Sequence, residues 1–254
     1  MMKGFEMIDD KQRLIELADR SYSKGQYTFT DFLSLAEQAA YYEIERELAY
    51  AHPKLFGGCD IAERKMIRFG NDEELGYEQE FPISAIKIKP AIDKFADNLT
   101  HRDFLGALMN LGIKRETLGD ILIKDNAACV FCRENISGFI TDNLTRIKHT
   151  TVEARITDDI EELTKPDLED HIIQVQSVRA DAVIARVFNL SRQESQNMFS
   201  GGLVFVNGRE IADNSGILKT GDILSVRGKG KFEYAGETGS SKKGKINCKV
   251  RIYK

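Results

Sequence analysis

The sequence predicts an α+β chain in three parts: an N-terminal mainly helical region, a β-α-β-β-α-β middle domain, and a small α+β domain at the C-terminus. Three observations predict it. Apolar residues recur at helical spacing before residue 69. Strand and helix signals then alternate between residues 81 and 160. Beyond residue 172 two short helical stretches give way to hairpin signals, and the composition turns basic. The expected boundaries are 1–80, 81–160 and 172–254, and 254 residues at 42% hydrophobic content suffice to bury several cores.

In the first part, from about Asp10 to Arg68, the longest helix is expected within TDFLSLAEQAAYYEIERELAYA, with Thr30 as its N-cap. Leu33, Leu35, Ala36, Ala39, Ala40 and Ile44 supply the apolar stripe. His52-Pro53 should end it, because the proline ring excludes a continuing helix. GGCD at 57–60 marks a turn, and its Cys59 has no neighbour in sequence that would activate the thiol.

In the middle part, ISAIKIK (83–89) reads as a strand, HRDFLGALMNLG (101–112) as a helix and TLGDILIK (117–124) as a strand. NAACVFC (126–132) is a third strand, RENISGFITDNL (133–144) a helix and HTTVEARI (149–156) a last strand. This is the split ferredoxin-like order, shared by RNA-recognition motifs. Those motifs stack bases on aromatics of the third strand, where this chain offers only Phe131 in an apolar run. The domain therefore reads as a scaffold or protein-contact module. TDDIEELTKPDLEDH, near 158–171, reads as a linker interrupted by Pro166.

Charge separates the parts. Residues 172–254 carry fourteen Lys and Arg against seven Asp and Glu, a net +7 within a chain whose net charge is -4. The preceding residues are accordingly at -11. A basic block beside an acidic one points to a polyanion partner for the former. No apolar run approaches the roughly 18 residues of a membrane span, and MMKGFEMIDDKQR has no signal-peptide core. Four scattered cysteines suit a reducing compartment, so a cytoplasmic protein is expected.

In the basic part, VRADAVIARVFNL places Ala180, Val183, Ile184, Val187 and Phe188 on one helical face. Ser191 and Glu194 form a capping box for a second helix that stops at Gly201-Gly202. Ser195, Met198 and Phe199 should pack inward, leaving Arg192, Gln193, Gln196, Asn197 and Ser200 outward on a face without a carboxylate. LVFVNGREI carries Asn207-Gly208, the dipeptide best suited to a type I′ hairpin. In GDILSVRGKGKFEY, Arg227, Lys229 and Lys231 alternate with glycines and would share one face of an extended strand, where a phosphate can approach closely. SSKKGK (240–245) adds three lysines.

The run from Val178 to Gly228 resembles the RNA-binding domain named after small-subunit ribosomal protein S-four. The matching elements are Arg179 with Asp181, Ser191-Arg192, Gly202 to Gly208, and Gly221-Asp222, with Ala180 standing where a larger Leu is usual. The resemblance implies RNA backbone contacts by Arg179 and Arg192 and polar contacts by Gln193, Gln196 and Asn197. With Asn207, Arg227, Lys229 and Lys231, these make the expected RNA-binding set. Residues 56–69 and 101–126 further resemble bacterial YlmH-type proteins, whose S-four domain is C-terminal. That resemblance implies structured RNA as partner: ribosomal RNA of the large subunit, and transfer RNA, during rescue of stalled ribosomes. A monomer with no membrane partner is expected.

Catalytic readings fare poorly. His101-Arg102-Asp103 is similar to the protein-kinase catalytic loop, but Leu108 stands at the metal-binding Asn position and no glycine-rich phosphate loop precedes it. Cys129-x-x-Cys132 lies on a strand, which aims residues three apart at opposite faces, so core cysteines are expected and no metal or cofactor. The alternative is an RNA-modifying enzyme with an appended RNA-binding domain. A pseudouridine synthase is expected to carry an Arg-Leu-Asp motif in a domain after the RNA module, whereas here that module comes last, and the GxGxxG loop of a methyltransferase is not found. The chain is thus expected not to be an enzyme.

Overall fold

The computed structural model describes residues 2–241 and 244–253. The fold is α+β and divides into two compact units, Met1–Lys165 and Pro166–Lys254. No helix among the described residues is long and apolar enough to cross a membrane.

The first unit opens with α1 (Met2–Lys24), β1 (Thr28–Phe29), α2 (Leu35–Ile44), β2 (Lys54–Phe56), β3 (Met66–Phe69) and α3 (Asp72–Leu75). Helices make up most of the regular structure of this region, as expected, and β1, β3 and β2 add an antiparallel sheet in that order. β3 is buried on both sides. Its Ile67 and Phe69 join Leu14, Ala18, Tyr41 and Ile44 of the helices, while Met66 packs with Phe32, Cys129 and Phe131. A strand buried on both faces shows no alternation, so its sequence does not announce it.

Thr30 is not a helix cap. Its hydroxyl accepts the Ile67 N–H at 2.9 Å and donates to the Asp31 carbonyl at 2.7 Å, which ties β1 to β3. The cap of α2 is Ser34, in a capping box with Glu37, whose carboxylate accepts the Ser34 N–H at 2.6 Å. The helix ends at Ile44, and His52 takes a left-handed conformation just before Pro53.

The middle elements are β4 (Ile83–Pro90), α4 (His101–Asn110), β5 (Leu118–Lys124), β6 (Ala127–Arg133), α5 (Glu134–Asn143), β7 (Arg146–Ile147) and β8 (Thr150–Ile156). They follow the anticipated order with the short β7 added, in an antiparallel sheet ordered β5-β6-β4-β8-β7. Helices α4 and α5 cover one face, where Phe104, Leu108 and Ile140 pack on Ile86, Ile88, Val130 and Cys132.

The opposite face is covered too. Phe32, Met66 and Cys59 from the N-terminal segment lie on Cys129, Phe131 and Leu122, together with Ile160 and Leu163 of the turn bearing α6 (Glu161–Thr164). The fit is tight. A Cβ on Gly58 (φ +98°) would lie 2.2 Å from Phe131 Cδ1, and one on Gly119 would lie 2.8 Å from Phe32 Cε1. Polar straps hold this cover down. Asp120 of β5 accepts the Glu63 N–H at 2.6 Å, and the Arg64 guanidinium donates to the carbonyls of Phe32 at 2.7 Å and Leu118 at 2.9 Å.

The second unit comprises β9 (Leu168–Val175), α7 (Ala180–Val187), α8 (Arg192–Ser200), β10 (Val204–Val206), β11 (Arg209–Glu210), β12 (Ile223–Val226), β13 (Gly230–Ser240) and β14 (Ile246–Tyr253). Its sheet runs β11-β10-β12-β13-β14-β9, all antiparallel. The segment 158–171, expected as a linker, instead carries α6 and the first half of β9. The core lies between the sheet and the two helices: Ala180, Val183, Ile184 and Phe199 meet Val204, Leu224, Phe232, Cys248 and Val250.

Candidate nucleic-acid interface

The two helices of the second unit are held by Arg179, to which the family resemblance assigns an RNA backbone contact, and by Ser195, expected on the packed face. Arg179 is the N-cap residue of α7, and its guanidinium forks onto Asp181 with Nε–Oδ1 at 3.0 Å and Nη2–Oδ2 at 2.8 Å. Asp181 is itself buried, so this pair compensates a carboxylate that would otherwise be desolvated alone. The hydrogen bonds to Asp181 raise the Arg179 pKa further above its already high ordinary value. The Arg-x-Asp spacing thus serves a clamp. Ser195, one of the inward-facing residues of α8, donates from its hydroxyl to the Asp181 carbonyl at 2.9 Å and locks the two helices together.

Asn207 is similarly engaged. It and Gly208 adopt positive φ (51° and 80°), the type I′ geometry anticipated for this dipeptide. Its side-chain amide donates to Asp222 Oδ1 at 2.9 Å and its Oδ1 accepts the Ile223 N–H at 2.9 Å. The other Asp222 oxygen accepts the Lys219 N–H at 2.7 Å. Asn207 and the Gly221-Asp222 pair therefore fasten the hairpin to the next strand, and both ends of the Asn207 amide are used within the fold.

Helix α8 presents the accessible surface. Its capping box is formed: the Glu194 carboxylate accepts the Ser191 N–H at 2.7 Å and the Ser191 hydroxyl accepts the Glu194 N–H at 3.2 Å. Arg192, Gln193, Asn197 and Ser200 are exposed, Gln196 is half-buried, and Ser195 and Phe199 point inward. Gln193 donates to the Asn197 side chain at 3.0 Å, one turn along. The expected absence of a carboxylate is corrected, because Glu194 is exposed on the same first turn. Hydrogen bonds from Ser191 hold its pKa below the ordinary value, helped by the positive charge of Lys229.

The Arg227–Lys231 segment is not an extended strand. Arg227, Gly228 and Lys229 form the turn between β12 and β13, with Val226 facing Gly230 and the Lys229 N–H donated to the Val226 carbonyl at 3.0 Å. Gly228 has φ +75°, which takes the chain out of β geometry and separates the three cations. Arg227 and Lys229 are exposed on this turn, with the Arg227 guanidinium 6.0 Å from the centre of the Phe205 ring. Lys231 lies on β13 next to the core residue Phe232, so it points to the sheet face away from α7 and α8. There its ammonium sits 4.8 Å from the Tyr253 ring centre. Of the three lysines expected in the 240–245 loop, Lys245 is exposed, while Lys242 and Lys243 lie outside the described residues.

The expected set leaves out other exposed cations of this unit, among them Arg186, Arg209 and Lys219. Arg186 is exposed on the last turn of α7 and lines a shallow 380 Å³ depression with Ala185, Asn189 and Leu190. Its signal was its position opposite the apolar stripe, although a basic residue in a last helical turn also simply complements the helix dipole.

The catalytic look-alikes take structural roles. Asp103 accepts from the Thr100 N–H at 2.8 Å and hydroxyl at 2.7 Å, and from Lys148 Nζ at 2.7 Å; these bonds, the one from Lys148 foremost, hold its pKa down to about 2. Cys129 and Cys132 face opposite sides of β6, and burial pushes both thiols up to about 12, far from a thiolate at neutral pH.

Comparison with known proteins adds three likenesses. The family described as "Putative RNA-binding domain in YlmH" matches residues 77–160. The "Ribosome-associated protein quality control protein P2" of Bacillus subtilis (strain 168) is 34% identical over 222 residues, 85% of this chain and 83% of that protein. The solved structure "Cell division protein ylmH from Streptococcus pneumoniae" is 20% identical with a TM-score of 0.48, over 64% of this chain and 96% of that one. The first match runs against the scaffold role expected of the middle domain, since the RNA-binding description falls on that domain.

Proposed function

The chain belongs to the YlmH family of RNA-binding proteins, and from that premise we propose that it acts without catalysis, binding ribosomal RNA of the large subunit, and transfer RNA, in the quality control of stalled nascent chains. The name of the Bacillus subtilis relative supports the ribosomal setting. Such a role places the protein in the cytoplasm. The observation that carries the RNA contact is the joint presentation of the α8 outer face and the Arg227–Lys229 turn.

Arg192 and Lys229 bring two cations to the amino end of α8, where they release counterions from a phosphate backbone. Gln193, Gln196 and Asn197 offer neutral donors and acceptors along the same helix, suited to sugar and phosphate oxygens. Gly228 adds an approach path, since nothing lies within 4 Å of the place a Cβ would occupy. Arg227 completes the cationic turn. Arg179 and Asn207 act in this reading as the braces that fix the surface, and Lys231 belongs to the other face of the sheet.

The test is a salt titration of RNA binding with the full chain and with Arg192→Ala/Lys229→Ala. Loss of two phosphate contacts makes the log–log salt slope shallower by about two. A double variant that binds as tightly as the parent, with the same slope, would exclude this surface.

A further inference from the structure

The first unit holds a second basic feature that the C-terminal surface does not explain. Arg102, Gly106 and Asn110 stand at intervals of four along α4 and share one side of the helix. With Asn143, Arg146 and Lys148 they line an open groove of 540 Å³ between α4 and the chain from the end of α5 through β7. The lining carries three cations and one carboxylate, Asp103, which Thr100 and Lys148 already occupy. Arg102 and Arg146 are exposed, and among the described residues neither has an ion-pair or hydrogen-bond partner for its guanidinium.

Gly106 is the sharpest clue. Glycine in a helix interior costs about 1 kcal/mol relative to alanine, yet here nothing lies within 4 Å of the place its Cβ would occupy. Packing therefore gives no reason for the missing side chain, whereas an open groove floor does. The sheet face on which RNA-recognition motifs stack bases is closed in this chain, with Phe131 1% exposed beneath the N-terminal segment. An RNA-binding role for this domain needs another surface.

We propose that this groove is a second RNA site, which takes a phosphodiester backbone, with Arg102 and Arg146 paired to phosphates and the bare backbone at Gly106 forming the floor. Lys148, held by Asp103, adds positive field. The proposal rests on the chain being an RNA-binding protein but not on the C-terminal surface described above.

The experiment titrates a fluorescent RNA hairpin into full-length protein in four forms: parent, Arg102→Gln/Arg146→Gln, Gly106→Gln and Arg192→Ala/Lys229→Ala. The paired-charge groove variant is expected to bind about tenfold more weakly, with a salt slope shallower by about two. Gly106→Gln should melt at or above the parent temperature, because glutamine is the better helix former, while binding severalfold more weakly. That combination separates an occupied groove from a folding defect. Parent affinity and slope in both groove variants overturn the proposal, and a loss confined to Arg192→Ala/Lys229→Ala then leaves the C-terminal surface as the RNA site. Unchanged RNA binding with lost binding of a polyglutamate peptide also overturns it, assigning the groove to an acidic protein partner.

Discussion

The middle domain and the C-terminal unit are built alike and finished differently. Each lays two helices on one face of an antiparallel sheet. In the middle domain the other face is roofed by Phe32, Met66, Cys59 and Ile160, so that Phe131 and Cys129 are core residues. In the C-terminal unit the other face carries Lys231, Glu233, Lys249, Arg251 and Tyr253, with Ile172 61% exposed among them. The same sheet surface is a buried seam in one case and a polar, open plane in the other. Element order alone therefore does not say which face of a ferredoxin-like sheet meets a ligand.

Truncations on the two faces should break or confirm this contrast. Phe131→Ala empties a packed site and is expected to cost about 3 to 5 kcal/mol in denaturant unfolding, without changing the RNA affinity of the folded protein. The matching change on the open face, Tyr253→Ala, should cost under about 1 kcal/mol. Equal costs would show that the roof over the middle sheet contributes little. Gly58→Ala is the next largest effect. A side chain at φ +98° that also collides with Phe131 should lose about 3 kcal/mol, read as a fall in the melting midpoint.

Within the C-terminal unit, Asn207→Ala should cost about 2 kcal/mol, since it removes two hydrogen bonds and places alanine at positive φ. RNA binding by the folded fraction should stay at the parent level; a selective loss of affinity would return Asn207 to the RNA-contacting set. The smallest effect concerns pH. The folded-state pKa of Asp103, about 2, lies below its ordinary 3.8. Its stabilisation is therefore complete above pH 3.8 and fades as pH falls toward 2. Asp103→Asn should flatten that part of the stability–pH curve, measured by thermal melts across the acidic range.

Much of this was legible beforehand where local signals agree with tertiary context. The middle elements follow hydrophobic period and turn residues closely, and the α8 surface follows from the Ser191–Glu194 box and its inward Ser195 and Phe199. The failures have physical causes. β1 and β2 have two and three residues, too few for a period, and β3 has no exposed side to reveal it. β9 opens with acidic residues and is half exposed, with Ile173 and Val175 its only buried residues, so it resembles a linker. Cation–glycine alternation in 227–231 imitates a strand, but glycine at positive φ makes a turn instead. Arg179 and Asn207 belong to motifs that the resemblance links to RNA, and each is also hydrogen-bonded within the fold, Arg179 to Asp181 and Asn207 to Asp222 and Ile223.

The pairing of β9 with β14 sets how the C-terminal unit can be handled. All eight residues of β9, Leu168 to Val175, face Tyr253 to Ile246 in unbroken register. A fragment cut at residue 172 strips away the partners of Val250, Arg251, Ile252 and Tyr253. Half of the closing strand then becomes a bare edge with Val250 and Ile252 beside it, a template for intermolecular pairing and aggregation. Cutting at Pro166 keeps that edge sealed.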